Sequence, residues 1–406
     1  MPSAERPNAW IGAAAALLVV GWGANQFSPM LLVYRAQDHF GLTTVDALFG
    51  VYAVGLIPAL LVGGPLSDRH GRRMVIPVVG LSAVASVVVM VGASSGLPAL
   101  YTGRFLAGVA SGLAFAPGTA WVKELTVGAG GAPESGARRA AVWLSAGFGL
   151  GPLVAGLLAQ WAPGPEVLPY AAHLVIVAAV APLVWATPET VTGFRGVGPP
   201  RRPGLRRSGA LDRRFVRVAA LMAPWVFAAP SVSFAVLPAQ VARRTGHDAV
   251  AFAAVIAGLT LAVGVLVQPY ARRLEARSAA SGTQVGLVAV VVGLLLGAGA
   301  SASSQPVLVG AAAVCLGAGY GSCLVSGLLE VQRIAPPSAL GGLTAVYYAL
   351  TYLGFSAPIV LAAASGLATD PQMLLAAAGL CALTLAAVRW GQATLRAPAH
   401  TEDAHG

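Results

Sequence analysis

The feature that most constrains this chain is the recurrence of apolar runs about 20 residues long, the length a helix needs to cross the hydrocarbon core of a bilayer. A backbone in lipid must satisfy its own hydrogen bonds, so such runs read as helices. Dividing them at polar and proline breaks gives approximate spans 9–34, 45–66, 74–94, 97–122, 138–161, 167–187, 214–239, 248–270, 281–302, 306–331, 339–363 and 371–393. Composition points the same way: 57% of the 406 residues are hydrophobic and 10% charged, too few charges to cover soluble domains of this size. The fold class expected is an all-α membrane protein with 12 transmembrane helices. The first run, from Ala9, carries no small-residue cleavage site and reads as a retained helix rather than a signal peptide.

A net charge of +10 would suggest nucleic acid as partner for a soluble protein. Here the positions of the charges explain it. With a cytoplasmic N-terminus, 21 of the 25 Lys and Arg residues fall on the cytoplasmic side, in Arg6, Arg69 to Arg73, Lys123 to Arg139, Arg195 to Arg217, Arg272 to Arg277, Arg333, Arg389 and Arg396. The outer loops hold only Arg35, Arg243 and Arg244, and Arg104 lies within a span. This positive-inside pattern places both termini in the cytoplasm of a multi-pass plasma-membrane protein. The single lysine, Lys123, precedes Glu124, which excludes a Gly-Lys-Ser/Thr nucleotide loop. Cys315, Cys323 and Cys381 sit in apolar runs and read as small core residues, with no cofactor or metal implied.

Residues 188–213 carry six arginines, Arg195, Arg201, Arg202, Arg206, Arg207 and Arg213, among prolines and glycines, and read as a basic cytoplasmic linker. It divides an N-terminal six-helix bundle, 1–187, from a C-terminal one, 214–393, followed by a tail, 394–406. The halves look like copies. Pro65 and Pro269 are 204 apart, while Glu124 and Glu330, and Pro152 and Pro358, are each 206 apart. Six-helix repeats about an axis normal to the membrane are a transporter architecture, with the substrate site between the halves near the midplane.

The segment Gly64-Pro-Leu-Ser-Asp68-Arg69-His-Gly71-Arg72-Arg73 resembles, nearly position for position, the helix 2–3 loop signature of the major facilitator superfamily. Gly103-Arg104-Phe-Leu-Ala-Gly108 in the fourth span is similar to the family's Arg-x-x-x-Gly motif. In the fifth, Gly147-Phe-Gly-Leu-Gly151-Pro152-Leu-Val-Ala-Gly156 looks like the Gly-Pro motif of its 12-helix drug:proton antiporters, with Ala155 in place of one glycine. The resemblance implies two pseudo-symmetric bundles and alternating access. It makes Gly64, Asp68, Arg69, Gly71, Arg72, Arg73, Glu124, Gly151 and Pro152 candidates for a gate or conformational switch. Asp68 is expected to face the N-terminal end of the eleventh span, around Leu340–Gly342, when the protein is open outward, and Arg72 to pair with Glu124. The repeat offset places Arg273 or Arg277 near Glu330.

Coupling to protons usually calls for a titratable group in the membrane interior. No carboxylate lies at the midplane of a span, and the candidates are Arg104, Asp46 near an outer helix end, and His173. Polar and aromatic residues near mid-span give cavity candidates Asn25, Gln26, Tyr52, Trp143, Trp225, Ser231, Tyr320, Tyr347, Tyr348 and Tyr352, on a surface expected from spans 1, 4, 7 and 10 with help from 2, 5, 8 and 11. Few charges and several rings suit a lipophilic or weakly polar solute. The function expected is proton-coupled efflux of a small molecule by a monomer whose other partners are protons and the lipid bilayer. The alternatives are a proton-coupled uptake permease for a small neutral nutrient and a non-transporting receptor or scaffold. An enzyme is not expected, since no midplane cluster of His and Asp exists.

Overall fold

A computed structural model describes residues 8–191, 212–278, 281–335 and 340–396. Among the described residues, twelve helices are long and apolar enough to cross a membrane. They are α1 (Trp10–Gln37), α2 (Thr43–His70), α3 (Arg72–Gly92), α4 (Leu97–Gly128), α5 (Glu134–Trp161), α6 (Leu168–Trp185), α7 (Phe215–Gln240), α8 (Ala242–Arg277), α9 (Ser281–Ser303), α10 (Pro306–Ile334), α11 (Gly342–Gly366) and α12 (Asp370–Thr394). Each expected span has its helix, but α4 and α8 outrun the apolar stretches, α4 to Gly128 and α8 to Arg277. Their extra turns hold Lys123, Glu124, Arg272 and Arg273, straight-chain residues that favour a helix once water can receive their charges. Arg195, Arg201, Arg202, Arg206 and Arg207 of the expected linker, and the tail beyond Arg396, lie outside the described residues.

In the first half α2 packs on α4, α3 on α4 and α6, and α1 on α5; in the second α8 packs on α10, α9 on α10 and α12, and α7 on α11. The repeat reaches down to single glycines. Gly112 of α4 lies against the backbone of Leu56 and Leu60 in α2, and Gly317 and Gly321 of α10 lie against that of Thr260 and Gly264 in α8. Likewise Gly147 of α5 meets the backbone of Leu18 and Trp22 in α1, and Gly354 of α11 that of Pro224 and Ala228 in α7. Without a hydrophobic force between helices in lipid, such small residues let backbones approach and dispersion act. The sequence offset between the halves is thus also an offset between packing contacts.

Three helices are broken near the middle of the molecule. The regular part of α1 ends at Asn25 and resumes at Met30 after Pro29, α7 carries a π-helical stretch at Val232–Val236, and α11 tightens to 3-10 geometry at Leu353–Ser356 before Pro358. Proline removes a donor and crowds the preceding turn, so these breaks have a local cause.

Candidate transport pathway

The breaks converge on one place. Asn25 at the end of the first part of α1, Phe234 in the π stretch of α7 and Phe355 in the 3-10 turn of α11 all line a cavity of about 20 Å³ between the two halves. Tyr52 of α2, Phe148 of α5, Phe227 and Pro230 of α7, Leu261 of α8, Tyr320 of α10 and Tyr352 of α11 complete it. None of these side chains is charged. Their rings form a layered group: Phe227 stacks on Tyr352 at 4.5 Å and 15° and on Phe355 at 5.0 Å and 22°, while Tyr52 meets Phe355 edge-on at 5.9 Å. At these separations the near-parallel rings stack directly on one another and give the cavity an aromatic wall.

Of the cavity candidates, Asn25, Tyr52, Tyr320 and Tyr352 line this space, and Tyr348 stands behind Tyr352 at 6.4 Å. The others lie elsewhere. Gln26 donates to Ser86 of α3 at 3.0 Å, Trp225 to Thr384 of α12 at 3.1 Å, and Ser231 to the Gly354 carbonyl at 3.2 Å. Trp143 packs edge-on against Trp10 at 6.3 Å, and Tyr347 donates to the Cys323 carbonyl at 3.0 Å. No residue of α4 lines the cavity. Phe148, Phe227, Phe234 and Phe355 were not singled out from the sequence, because phenylalanine carries no polarity to mark it among apolar neighbours.

Arg104 is only 2% exposed. Its guanidinium lies 4.4 Å from the Phe27 ring centroid and 4.8 Å from that of Tyr52, and donates to the carbonyls of Leu48 at 3.3 Å and Ala24 at 3.4 Å. It therefore sits directly behind a cavity ring, joining α4 to α1 and α2. His173 is fully buried, with one ring nitrogen 2.8 Å from Ser86 Oγ and the other 2.9 Å from the Val19 carbonyl. That chain of polar groups runs from α6 through Ser86 to Gln26, next to Asn25. Asp46 is buried at the end of α2 remote from the arginine-rich loops.

At the basic end, Arg72 donates to Glu124 at 2.8 Å and to Asp68 at 2.6 Å, so the expected Arg72–Glu124 contact is present. Gly71 turns the chain between α2 and α3 at φ +91°, where a side chain would also strike Glu189. Glu189 was not foreseen. It accepts the backbone N–H groups of Arg72 at 2.8 Å and Arg73 at 2.9 Å, capping the start of α3 from across the bundle. Thr190 also contacts Glu124, and Trp121 donates to the Pro188 carbonyl at 2.9 Å. Residues 188–191, read from sequence as linker, are thus docked. In the second half the expectation for Arg273 and Arg277 is corrected. Glu330 pairs with Arg214 and Arg333, Arg333 also reaches Glu275 at 3.1 Å, and Arg273 instead lies over the Tyr270 ring at 5.7 Å. The helical pitch turns Arg273 away, whereas Arg333 follows Glu330 by three positions on one face.

The halves meet where they are farthest from these loops. Phe49 contacts Phe355 at 5.5 Å and Phe234 at 6.1 Å, Gly50 abuts Ile359, and Gly156 abuts Ala254. Gln160 donates to the His247 carbonyl at 2.6 Å and accepts from the Ala251 N–H at 3.1 Å. At the basic end Asp68 is 57% exposed, and among the described residues its ion-pair partner is Arg72 of its own half. The conformation is closed at the end opposite the basic loops.

Comparison with known proteins agrees with this architecture. The family profile described as Major Facilitator Superfamily matches residues 11–359. Among solved structures, the fold is similar to a single-residue mutant of the nucleoside transporter NupG (TM-score 0.75, 11% identity, 94% of this chain and 98% of that one). It is also similar to the human organic anion transporter MFSD10 (0.63, 19%, 96% and 100%) and to the POT family transporter PepTSo (0.67, 12%, 96% and 98%). No curated protein matches in sequence. Twelve membrane-spanning helices, a cavity between two matching halves, and a family match over most of the length lead to one conclusion: this chain belongs to the major facilitator superfamily and is a transporter.

Proposed function

We propose that the protein exports a small, lipophilic or weakly polar molecule with a flat ring across the plasma membrane, by alternating access coupled to protons. The observation that carries this reading is the uncharged, ring-lined cavity between the halves. A phosphorylated or dicarboxylate solute would have to leave its charges unpaired there. The basic loops mark the cytoplasmic end, and the Gly-Pro segment of α5, with Gly151 against the Trp22 backbone, supports the efflux direction. Arg104, Asp46 and His173 are the coupling candidates. The docked strap at 188–191 fastens the end of α6 to α3 and α4 within the first half.

Counterflow of a compound panel in inverted vesicles, with and without a pH gradient, tests the reading. Flat aromatic compounds should accumulate, and a gradient acid inside the vesicle should increase accumulation. Accumulation that ignores the gradient would remove the proton coupling, and a panel in which only sugars or dicarboxylates move would remove the substrate class. A second reading, uptake of a small neutral nutrient, draws support from the fold likeness to a nucleoside transporter. It predicts inward counterflow of nucleosides in right-side-out cells. Asp68 and its partners form the cytoplasmic gate in this scheme, its carboxylate moving from Arg72 to the start of α11 when that end closes. Asp68→Asn should reach the membrane normally and transport at least tenfold more slowly; transport at the wild-type rate removes the gate.

A further inference from the structure

We propose that the cavity between the halves at the end remote from the basic loops is a proton-binding site, in which protonated Asp46 of α2 donates to Gln240 of α7 and clasps that end shut. The proposal rests on the alternating-access part of the functional reading and on none of its claims about substrate. The cavity holds about 130 Å³ and is walled by Arg35 of α1, Asp46 of α2, Gln240 of α7 and Asp370 of α12, with apolar side chains such as Pro358 and Met373 between them. It therefore exists only while α1 and α2 stand against α7, α11 and α12.

Two polar side chains without hydrogen-bond partners line this cavity from opposite halves. Asp46 is 3% exposed, and among the described residues it makes no hydrogen bond and no ion pair. An ionised carboxylate in that position gives up most of its water with no hydrogen-bond donor in return. Gln240 Oε1 is likewise buried without a donor. It is an acceptor and can be satisfied only by an N–H or O–H. One proton resolves both problems: it neutralises Asp46 and supplies the O–H that Gln240 lacks, directly or through a water for which the cavity has room.

The charged neighbours set the balance. Arg35 of α1 and Asp370 of α12 are the other charged side chains of the lining, and α7 and α11 bring no titratable side chain to it. Arg104 on α4 bonds the Leu48 carbonyl and faces the rings of Phe27 and Tyr52. When the halves separate at this end, water reaches Asp46, the carboxylate ionises and the link to Gln240 is lost. Closure and protonation are then one linked equilibrium, so a lower pH on the side this end faces favours the closed form. The proton enters from that side and returns to it, which makes the site a pH-operated clasp.

The test uses the full chain in lipid nanodiscs without substrate, with Cys315, Cys323 and Cys381 replaced by alanine and spin labels at positions 37 and 367. Both positions are exposed and lie in opposite halves at the closing end. The short-distance population measured by electron–electron resonance should rise as pH falls from about 8 to about 5, the closed-to-open ratio approaching tenfold per pH unit as one proton requires. Asp46→Asn, whose amide donates to Gln240 at any pH, should be closed throughout with no pH dependence. Gln240→Leu should shrink the closed population at low pH, and Asp370→Asn should keep the titration. A pH response that survives Asp46→Asn, vanishes in Asp370→Asn, or is absent from the wild type overturns the proposal, as does closure that follows sodium at fixed pH. Because no solute or gradient is present, failure of the export reading leaves this result standing, and the reverse holds too.

Discussion

A single carboxylate, Glu189, fastens the segment after α6 to the start of α3. Burial pushes its carboxyl up, but the backbone N–H groups of Arg73, Val191, Arg72 and Thr190 outweigh that and hold it below the ordinary carboxylate range. A group depressed in the native state contributes its full stabilisation above its unfolded value, and the contribution disappears as pH falls through the lower native value. The strap at residues 188–191 should therefore stay docked from pH 7 to pH 5 and release only in stronger acid. Hydrogen exchange of that segment, corrected for intrinsic rates, reads this directly. Glu189→Gln should exchange about three- to tenfold faster across the whole range, the size expected for loss of a helix cap; unchanged protection would mean the strap is held by other contacts. The contrast with Arg72 says what sequence can carry. Arg72 stands in a spaced motif whose family resemblance implies pairing with Glu124, so their meeting was legible. Glu189 works through backbone donors, which every residue but proline possesses, and nothing in its own neighbourhood marks it.

Helices were legible at the element scale because a bilayer leaves the backbone so few options, and the mid-helix breaks were marked by Pro29 and Pro358. The direction each helix faces was not. An outer face against lipid and an inner face against protein are equally apolar, so the periodicity that orients a helix in a soluble protein is missing. That is why Trp225 and Trp143, aromatic and near mid-span, point away from the cavity while Phe227 and Phe355 line it. Glycines preserve some of this information. A Cβ at Gly147 or Gly354 would enter the backbone of the paired helix, whereas one at Gly80 or Gly379 meets open space. Gly147→Ala and Gly354→Ala should each cost about 1–3 kcal/mol and lower the melting temperature in detergent by several degrees. Gly80→Ala and Gly379→Ala should match or slightly exceed the wild type, since alanine favours a helix more than glycine does. Equal losses at all four sites would mean that close helix approach is not what these glycines provide.

For the whole molecule, the alternating access proposed above requires the seam between the halves to open and close, so that the contacts that now join it would break in every cycle. Gln160 of α5 is the most informative of them, because it bonds both the His247 carbonyl and the Ala251 N–H across the seam through one amide. Two neutral hydrogen bonds in an exposed setting stabilise the closed end only modestly, about 1 kcal/mol each. They are weak enough to yield to a bound solute, whereas a covalent bond in the same place is not. Cysteines at positions 160 and 247, in a chain without Cys315, Cys323 and Cys381, should be joined by a short bifunctional maleimide in the conformation described here. Solute flux should then fall to background while binding from the basic end persists, and a reducible linker of the same length should restore flux on reduction. Flux that continues with the linker in place would mean that the halves do not part at this end. The ring-lined cavity would then have to exchange with one side only, which would leave a binding protein built on a transporter's frame.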